Sequence, residues 1–351
     1  MSKITDDPRI DPRIKAIFGQ VTMAGGRDVE SREAALQAAN SDKAIATRQM
    51  VGAFLELCDT EEIAPSKGLV ITNKTFISAP DGNTVNIQFI RPDNADILPC
   101  VYYIHGGGMT TMSCYDGNYK AWGRIMAAQG VAVAMVDFRN ALVPSSAPQV
   151  APYPAGLNDC VSGVKWVSAN SDLLSIDSSK IIVSGDSGGG NLALATGLRL
   201  KQEGDSGLIA GIYALCPYIA GQWPTVENPS STENNGILLD LHNNQGAMIY
   251  GIQEFTKRNP LAWPGFATED DVRGLVPTVI SVNECDPLRD EGINFYRLLM
   301  QAGVSASCRQ VMGTIHAIEV FPIACPDISR ETASSIAHFA SVCSGNNKRL
   351  T

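Results

Sequence analysis

No run of apolar residues in the chain approaches the roughly 18 that a membrane span requires, so none is expected to cross a bilayer. There is no C-x-x-C pair either. The nine cysteines, an odd number, are scattered from Cys58 to Cys343, which argues against a zinc site or a disulfide framework and for free thiols in a reducing compartment. Charged residues are sparse at 18% and lean acidic, with a formal net charge of -9 and a pI near 5.0. That balance argues against nucleic acid or an anionic membrane surface as the main partner. The opening Met1-Ser-Lys-Ile-Thr-Asp-Asp-Pro8 puts charges where a signal peptide would have its apolar core, which predicts a cytoplasmic protein. Only four histidines are present, and that scarcity shortens any search for a general base. What the chain has in quantity is apolar: 44% of 351 residues, enough for one large domain carrying a lid.

Residues up to about 65 read as helices, with stretches over 30–40 and 43–58 rich in Ala, Leu, Gln and Glu. Two β-rich runs, 69–78 and 84–91, flank the turn cluster Ala79-Pro-Asp-Gly-Asn83 and predict an antiparallel hairpin. From Pro99 strands and helices alternate, which predicts an α/β fold with a mostly parallel sheet covered by helices on both faces. The alternation breaks over about 218–273, where Pro, Asn, Gly and the aromatics Trp223, Phe255, Trp263 and Phe266 gather. A strandless segment this long predicts a lid. The expected division is N-terminal cap helices (1–65), a catalytic domain (66–217 and 274–351) and a cap insertion (218–273). The insertion's aromatics are candidates either for packing the lid or for lining a substrate pocket.

The organising stretch is Lys180-Ile-Ile-Val-Ser-Gly185-Asp-Ser187-Gly-Gly-Gly190, a β-branched run, a tight turn and then a helical pattern. Strand, turn and helix around Gly185-Asp186-Ser187-Gly188-Gly189 make a nucleophile elbow. Gly185 and Gly189 let strand and helix approach, and Ser187 is exposed at the helix start. The similar Gly204-Asp205-Ser206-Gly207 follows a polar helix end and has Leu208 in place of the second glycine, so it reads as an ordinary loop.

A serine hydroxyl needs a base, the base an orienting acid, and the oxyanion a set of donors. Of the histidines, His338 falls within a helix, His242 in the lid, and His105 opens His105-Gly106-Gly107-Gly108. His316 remains, just after the last strand, as general base. Asp286, held extended by Pro287 at the end of the strand 276–282, is the acid. Its rivals Glu284, Asp290 and Glu291 read as support or as first-turn helix acids. The order Ser, Asp, His is that of α/β-hydrolases and excludes the orders of chymotrypsin and subtilisin. The three glycines after His105 free backbone N–H groups for an oxyanion hole, joined by the N–H of Gly188.

With H-G-G-G, G-D-S-G-G, D-P-L-R-D-E-G and a late histidine, residues from about 70 to 340 resemble the hormone-sensitive-lipase-like (family IV) bacterial esterases of the α/β-hydrolase fold. Within them the sequence is similar to the brefeldin A esterase branch, because Asp137-Phe-Arg-Asn-Ala141 stands where most members have Y-R-L-A-P-E. The resemblance implies a cap built from the N-terminal segment and the insertion. It implies hydrolysis of short-chain, neutral carboxylic esters without cofactor or metal, and Gly107, Gly108 and Gly188 as oxyanion donors. Relatives are often dimers, which leaves a homodimer open. Amide or lactone hydrolysis by the same triad, or a receptor on the same fold, are the alternatives; the presence of His316 disfavours the receptor. Three positions depart from the family. Gly188 stands where Ala is usual, Ala317-Ile318 follow the histidine in place of Gly-Phe, and Met109-Thr110 follow the glycines where an aromatic is common. Met109 is thus a further candidate for the pocket wall.

Overall fold

The computed structural model describes residues 2–20 and 26–343. Residues 21–25 of the N-terminal segment and the end of the catalytic domain, 344–351, lie outside them. Eight strands form one sheet: β1 (Leu69–Ile77), β2 (Thr84–Pro92), β3 (Leu98–Ile104), β4 (Ala132–Asp137), β5 (Ile176–Asp186), β6 (Gly211–Leu215), β7 (Thr278–Asn283) and β8 (Ala306–Val311). Their order is β1-β2-β4-β3-β5-β6-β7-β8. β1 and β2 are the expected hairpin, β2 runs antiparallel to β4, and every later pairing is parallel.

Burial follows the sequence pattern. β4, Ala-Val-Ala-Met-Val-Asp, is buried at every position, as a central strand covered on both faces must be. β1, at the edge, keeps most of its residues partly or fully exposed. The helices Ala155–Ala169, Gly188–Glu203 and Arg289–Gln301 cover one face around Leu157, Val164, Leu192 and Leu299. Gly117–Ala127 and Pro326–Val342 cover the other around Trp122, Ile125 and Ile336. β5 starts five residues before the expected Ile181. Its polar opening, Asp177 to Lys180, hides a strand whose Ile176 pairs with Leu98 across a register shift.

The two N-terminal helices foreseen are Arg32–Ala39 and Asp42–Glu56. Two shorter ones precede them, Lys3–Asp6 and Pro12–Phe18. Their Ile4, Ile14 and Phe18 pack with Cys285, Ile315 and Ile318, so the start of the chain backs the loops after β7 and β8. The segment 218–273 holds four short α-helices, Ser230–Glu233, Gln245–Tyr250, Ile252–Thr256 and Glu269–Val272, and one turn of 3-10 helix, Pro264–Phe266. No helix among the described residues is long and apolar enough to cross a membrane, and all nine cysteines are free thiols.

Candidate active site

The parallel strands end together along one edge of the sheet, and the loops leaving β3, β5, β6, β7 and β8 meet there. Such a crevice at the carboxyl ends of strands is where open α/β sheets take ligands. Ser187 follows β5 at φ 55°, ψ -119° and caps the helix Gly188–Glu203. A non-glycine residue at positive φ is strained. Here it is fixed from both sides: Ser187 N donates to Leu215 O (2.9 Å), and Tyr218 N donates to Ser187 O (3.0 Å). A Cβ on Gly189 would strike Ile104 O and His105 O, so the helix can sit this close to β3 only with glycine there.

His316 and Asp286 lie on the loops after β8 and β7. His316 Nδ1 donates to Asp286 Oδ2 at 2.8 Å, while Asp286 Oδ1 accepts from Leu288 N at 2.8 Å. Both are buried, His316 at 4% exposure and Asp286 at none. Burial by itself would lower the imidazole pKa, but the Asp286 carboxylate, with Asp186 and Glu319 beyond it, outweighs burial and holds it above the ordinary 6.5. Asn283, the last residue of β7, ties the His316 loop together. Its Nδ2 donates to Thr314 Oγ1 (3.0 Å) and to the Glu319 carboxylate (3.1 and 3.2 Å), and its Oδ1 accepts from Ala317 N at 3.3 Å. Ala317 stands at φ 53°, a left-handed backbone that costs a residue with a Cβ about 1–2 kcal/mol. Glu284 accepts from Gly313 N at 2.7 Å, supporting the same loop from below.

Cys216 Sγ and ligating atoms of Asp286 and His316 all lie within 4.8 Å of one another. The carboxylate and imidazole are already engaged with each other, and burial, then the nearby Asp286, Glu319 and Asp186, pushes the thiol well above its usual range. That chemistry fits a packing thiol better than a metal ligand.

The loop Gly106 to Met109 crosses the start of the Ser187 helix. A Cβ on Gly188 would lie 2.5 Å from Met109 N and 2.7 Å from Gly108 Cα, which explains glycine where the family carries alanine. Among the described residues, the N–H groups of Gly107, Gly108 and Gly188 donate no hydrogen bond within the chain. Gly106 differs: its N–H donates to Tyr119 Oη at 2.7 Å. Tyr119 Oη donates in turn to Asp186 Oδ2 at 2.9 Å, and Tyr103 Oη donates to Asp186 Oδ1 at 2.8 Å. Burial raises the Asp186 pKa, opposed by the two phenols, and keeps both phenols protonated. His105 turns inward, with Nδ1 donating to Gly106 O (2.9 Å) and its ring stacked on Phe138 at 4.3 Å.

A cavity of about 210 Å³ opens beside this loop, between Gly108 and Thr110 on one side and Tyr218, Asp240, Gln245 and Ile249 of the insertion on the other. Met109, Trp223, Phe255, Trp263 and Phe266 do not line it. Met109 and Trp263 are buried in the core, and Trp223 stacks on Tyr218 at 4.3 Å. Phe255 and Phe266 pack on each other at 5.4 Å. The large rings hold the insertion to the sheet, and smaller polar residues face the cavity. Of the remaining histidines, His242 and His338 are exposed.

Tyr119 and Asn283 escaped the sequence reading, which took Glu291 only for a first-turn helix acid. Glu291 is buried, and it accepts from Ile219 N (2.6 Å), Ala220 N (3.2 Å) and Trp223 Nε1 (2.6 Å), pinning the start of the insertion. Its place in D-P-L-R-D-E-G was the available signal. Tyr119 and Asn283 look like ordinary helix and strand residues in sequence.

Residues 101–320 match the family described as alpha/beta hydrolase fold. Carboxylesterase NlhH of Mycobacterium tuberculosis (strain ATCC 25618 / H37Rv) is 31% identical over 248 residues, 69% of this chain and 73% of the relative. The solved structure of esterase Est22 superposes with a TM-score of 0.96 at 71% identity, covering 97% of this chain and 100% of that one. Brefeldin A esterase, described as a bacterial homologue of human hormone-sensitive lipase, superposes with a TM-score of 0.84 at 33% identity, covering 96% and 94%. The chain belongs to the α/β-hydrolase family and is an enzyme of its hormone-sensitive-lipase-like esterase branch.

Proposed function

We propose that the protein hydrolyses short-chain carboxylic esters through Ser187, His316 and Asp286. The observation that carries this reading is the buried His316–Asp286 hydrogen bond of 2.8 Å at the crevice where Ser187 is held at φ 55°. His316 Nε2 takes the Ser187 proton as Oγ attacks the ester carbonyl, and Asp286 keeps Nδ1 protonated and stabilises the imidazolium. The N–H groups of Gly107, Gly108 and Gly188 receive the oxyanion. His316 then gives its proton to the leaving alcohol, and water hydrolyses the acyl-enzyme by the same roles reversed. Ser187 Oγ makes no hydrogen bond among the described residues, so the contact with His316 closes when substrate binds, as apo sites often require. Gly106, Gly185, Asp186 and Gly189 serve by shaping the two loops.

The cavity of about 210 Å³ supports short acyl chains. The N-terminal helices and the segment 218–273 act together as the cap in this reading, and a cytoplasmic setting and a homodimer remain part of it. The test is hydrolysis of p-nitrophenyl esters from C2 to C12 by the wild type and by Ser187→Ala. Turnover is expected to fall off beyond the short chains, and Ser187→Ala to lose on the order of 10⁴ or more in kcat. Equal rates for the two proteins would overturn the reading.

A further inference from the structure

The cavity beside the oxyanion loop is lined by polar as well as apolar side chains. Apolar wall comes from Leu142, Leu241 and Ile249, while Tyr218, Asp240, Asn243 and Gln245 bring polar groups from the insertion. Among the described residues, no lysine, arginine or histidine lines it. Asp240 is half-buried, with Oδ1 held by Asn235 Nδ2 at 2.9 Å and by His242 N at 3.4 Å. Its Oδ2 accepts no hydrogen bond and forms no ion pair among the described residues. The Tyr218 hydroxyl likewise has no partner among them, although its ring is fixed by Trp223 and its N–H by Ser187 O. The insertion side of the cavity thus presents a rigid phenol and an unneutralised carboxylate, facing Gly108 and Thr110.

Resting on the esterase reading above, we propose that this cavity selects short esters carrying a hydrogen-bond donor, above all a primary ammonium group, at the end of the arm that enters it, and rejects anionic ones. A half-buried carboxylate with a vacant oxygen stabilises a donor most strongly when that donor is cationic, and repels a second carboxylate. An apolar chain end leaves the Tyr218 and Asp240 oxygens without partners at the moment they lose water, which penalises it. Asn243 and Gln245 are already engaged within the chain: Asn243 Nδ2 donates to Asp240 O at 3.0 Å and its Oδ1 accepts from Gln245 N at 3.0 Å, while Gln245 Nε2 donates to Arg27 O at 2.7 Å. The discriminating atoms are therefore those of Tyr218 and Asp240.

The experiment compares size-matched esters at pH 7. Ethyl 3-aminopropanoate, ethyl butanoate and monoethyl butanedioate vary the acyl arm, and 2-aminoethyl acetate and propyl acetate vary the alcohol arm. On one arm, the amino ester is expected to exceed its methyl isostere by about tenfold or more in kcat/KM, with the anion slower than either. Asp240→Asn is expected to shrink the amino-to-methyl ratio below about threefold. Amino esters no better than their isosteres on both arms, or a ratio unchanged in Asp240→Asn, would overturn the proposal. The wild-type selectivity decides it even if the variant fails to fold. Loss of the esterase reading shows differently: ethyl butanoate would then be untouched by the wild type, or hydrolysed equally by Ser187→Ala.

Discussion

The Tyr119 hydroxyl lies between a backbone donor and a buried carboxylate, accepting from Gly106 N and donating to Asp186 Oδ2. It therefore couples the elbow to the loop bearing Gly107 and Gly108 without touching substrate, as a positioning residue. Tyr119→Phe removes one oxygen, strands the Gly106 N–H and frees the loop to drift. We expect kcat to fall on the order of tenfold, less than outright loss of an oxyanion donor, while KM stays nearly constant. Steady-state kinetics on a short p-nitrophenyl ester, beside a thermal melt, checks this; a drop in melting temperature with unchanged kcat would mark Tyr119 as merely structural. Gly188 shows the same economy of space. The loop Gly106 to Met109 lies so close to its Cα that the family's usual alanine has no room.

Besides its packed rings, the insertion is held through the start of the helix Arg289–Gln301. Glu291 on its first turn binds two backbone N–H groups and Trp223 Nε1, and Asp290 Oδ2 accepts from Ser230 N at 2.7 Å. Burial raises the Glu291 pKa to about 8, against the three donors that favour its charge. Glu291→Gln places an NH₂ against N–H donors, and buried donors left unpaired cost about 1–3 kcal/mol. The expected result is a lower melting temperature and a KM raised more than kcat is lowered, because Tyr218 on the pocket wall loses its anchor; kinetics and a melt identical to wild type would contradict it. Most of the elements were legible in the sequence. β-branched runs and turn clusters located the strands, and the spacing around Ser187, Asp286 and His316 located the loops. The pocket wall was not legible. Large aromatics such as Trp263 look like ligand contacts in a strandless segment, yet burying a ring stabilises that segment, and this one is fully buried. Asp240 and Tyr218 gain meaning only from the cavity they share.

Across the whole molecule, the field at His316 is built by acids from three places: Asp286 after β7, Asp186 at the end of β5 and Glu319 just beyond the histidine itself. The N-terminal helices back this arrangement, with Ile14 packed near Ile315 and Cys285 and Asp11 N donating to Gly313 O at 2.9 Å. Because these acids hold the imidazole pKa above 6.5 and the proposed mechanism needs a neutral His316 to accept the Ser187 proton, reactivity is expected to rise with pH through a value above 6.5 and to be lost below it. The most direct test is the rate of labelling by a fluorophosphonate between pH 4 and 9, with the adduct located by peptide mass spectrometry. A single adduct on Ser187, forming ever more slowly as pH falls below that value, is the predicted result. An adduct on another residue, or a rate that stays flat down to pH 4, would contradict the triad.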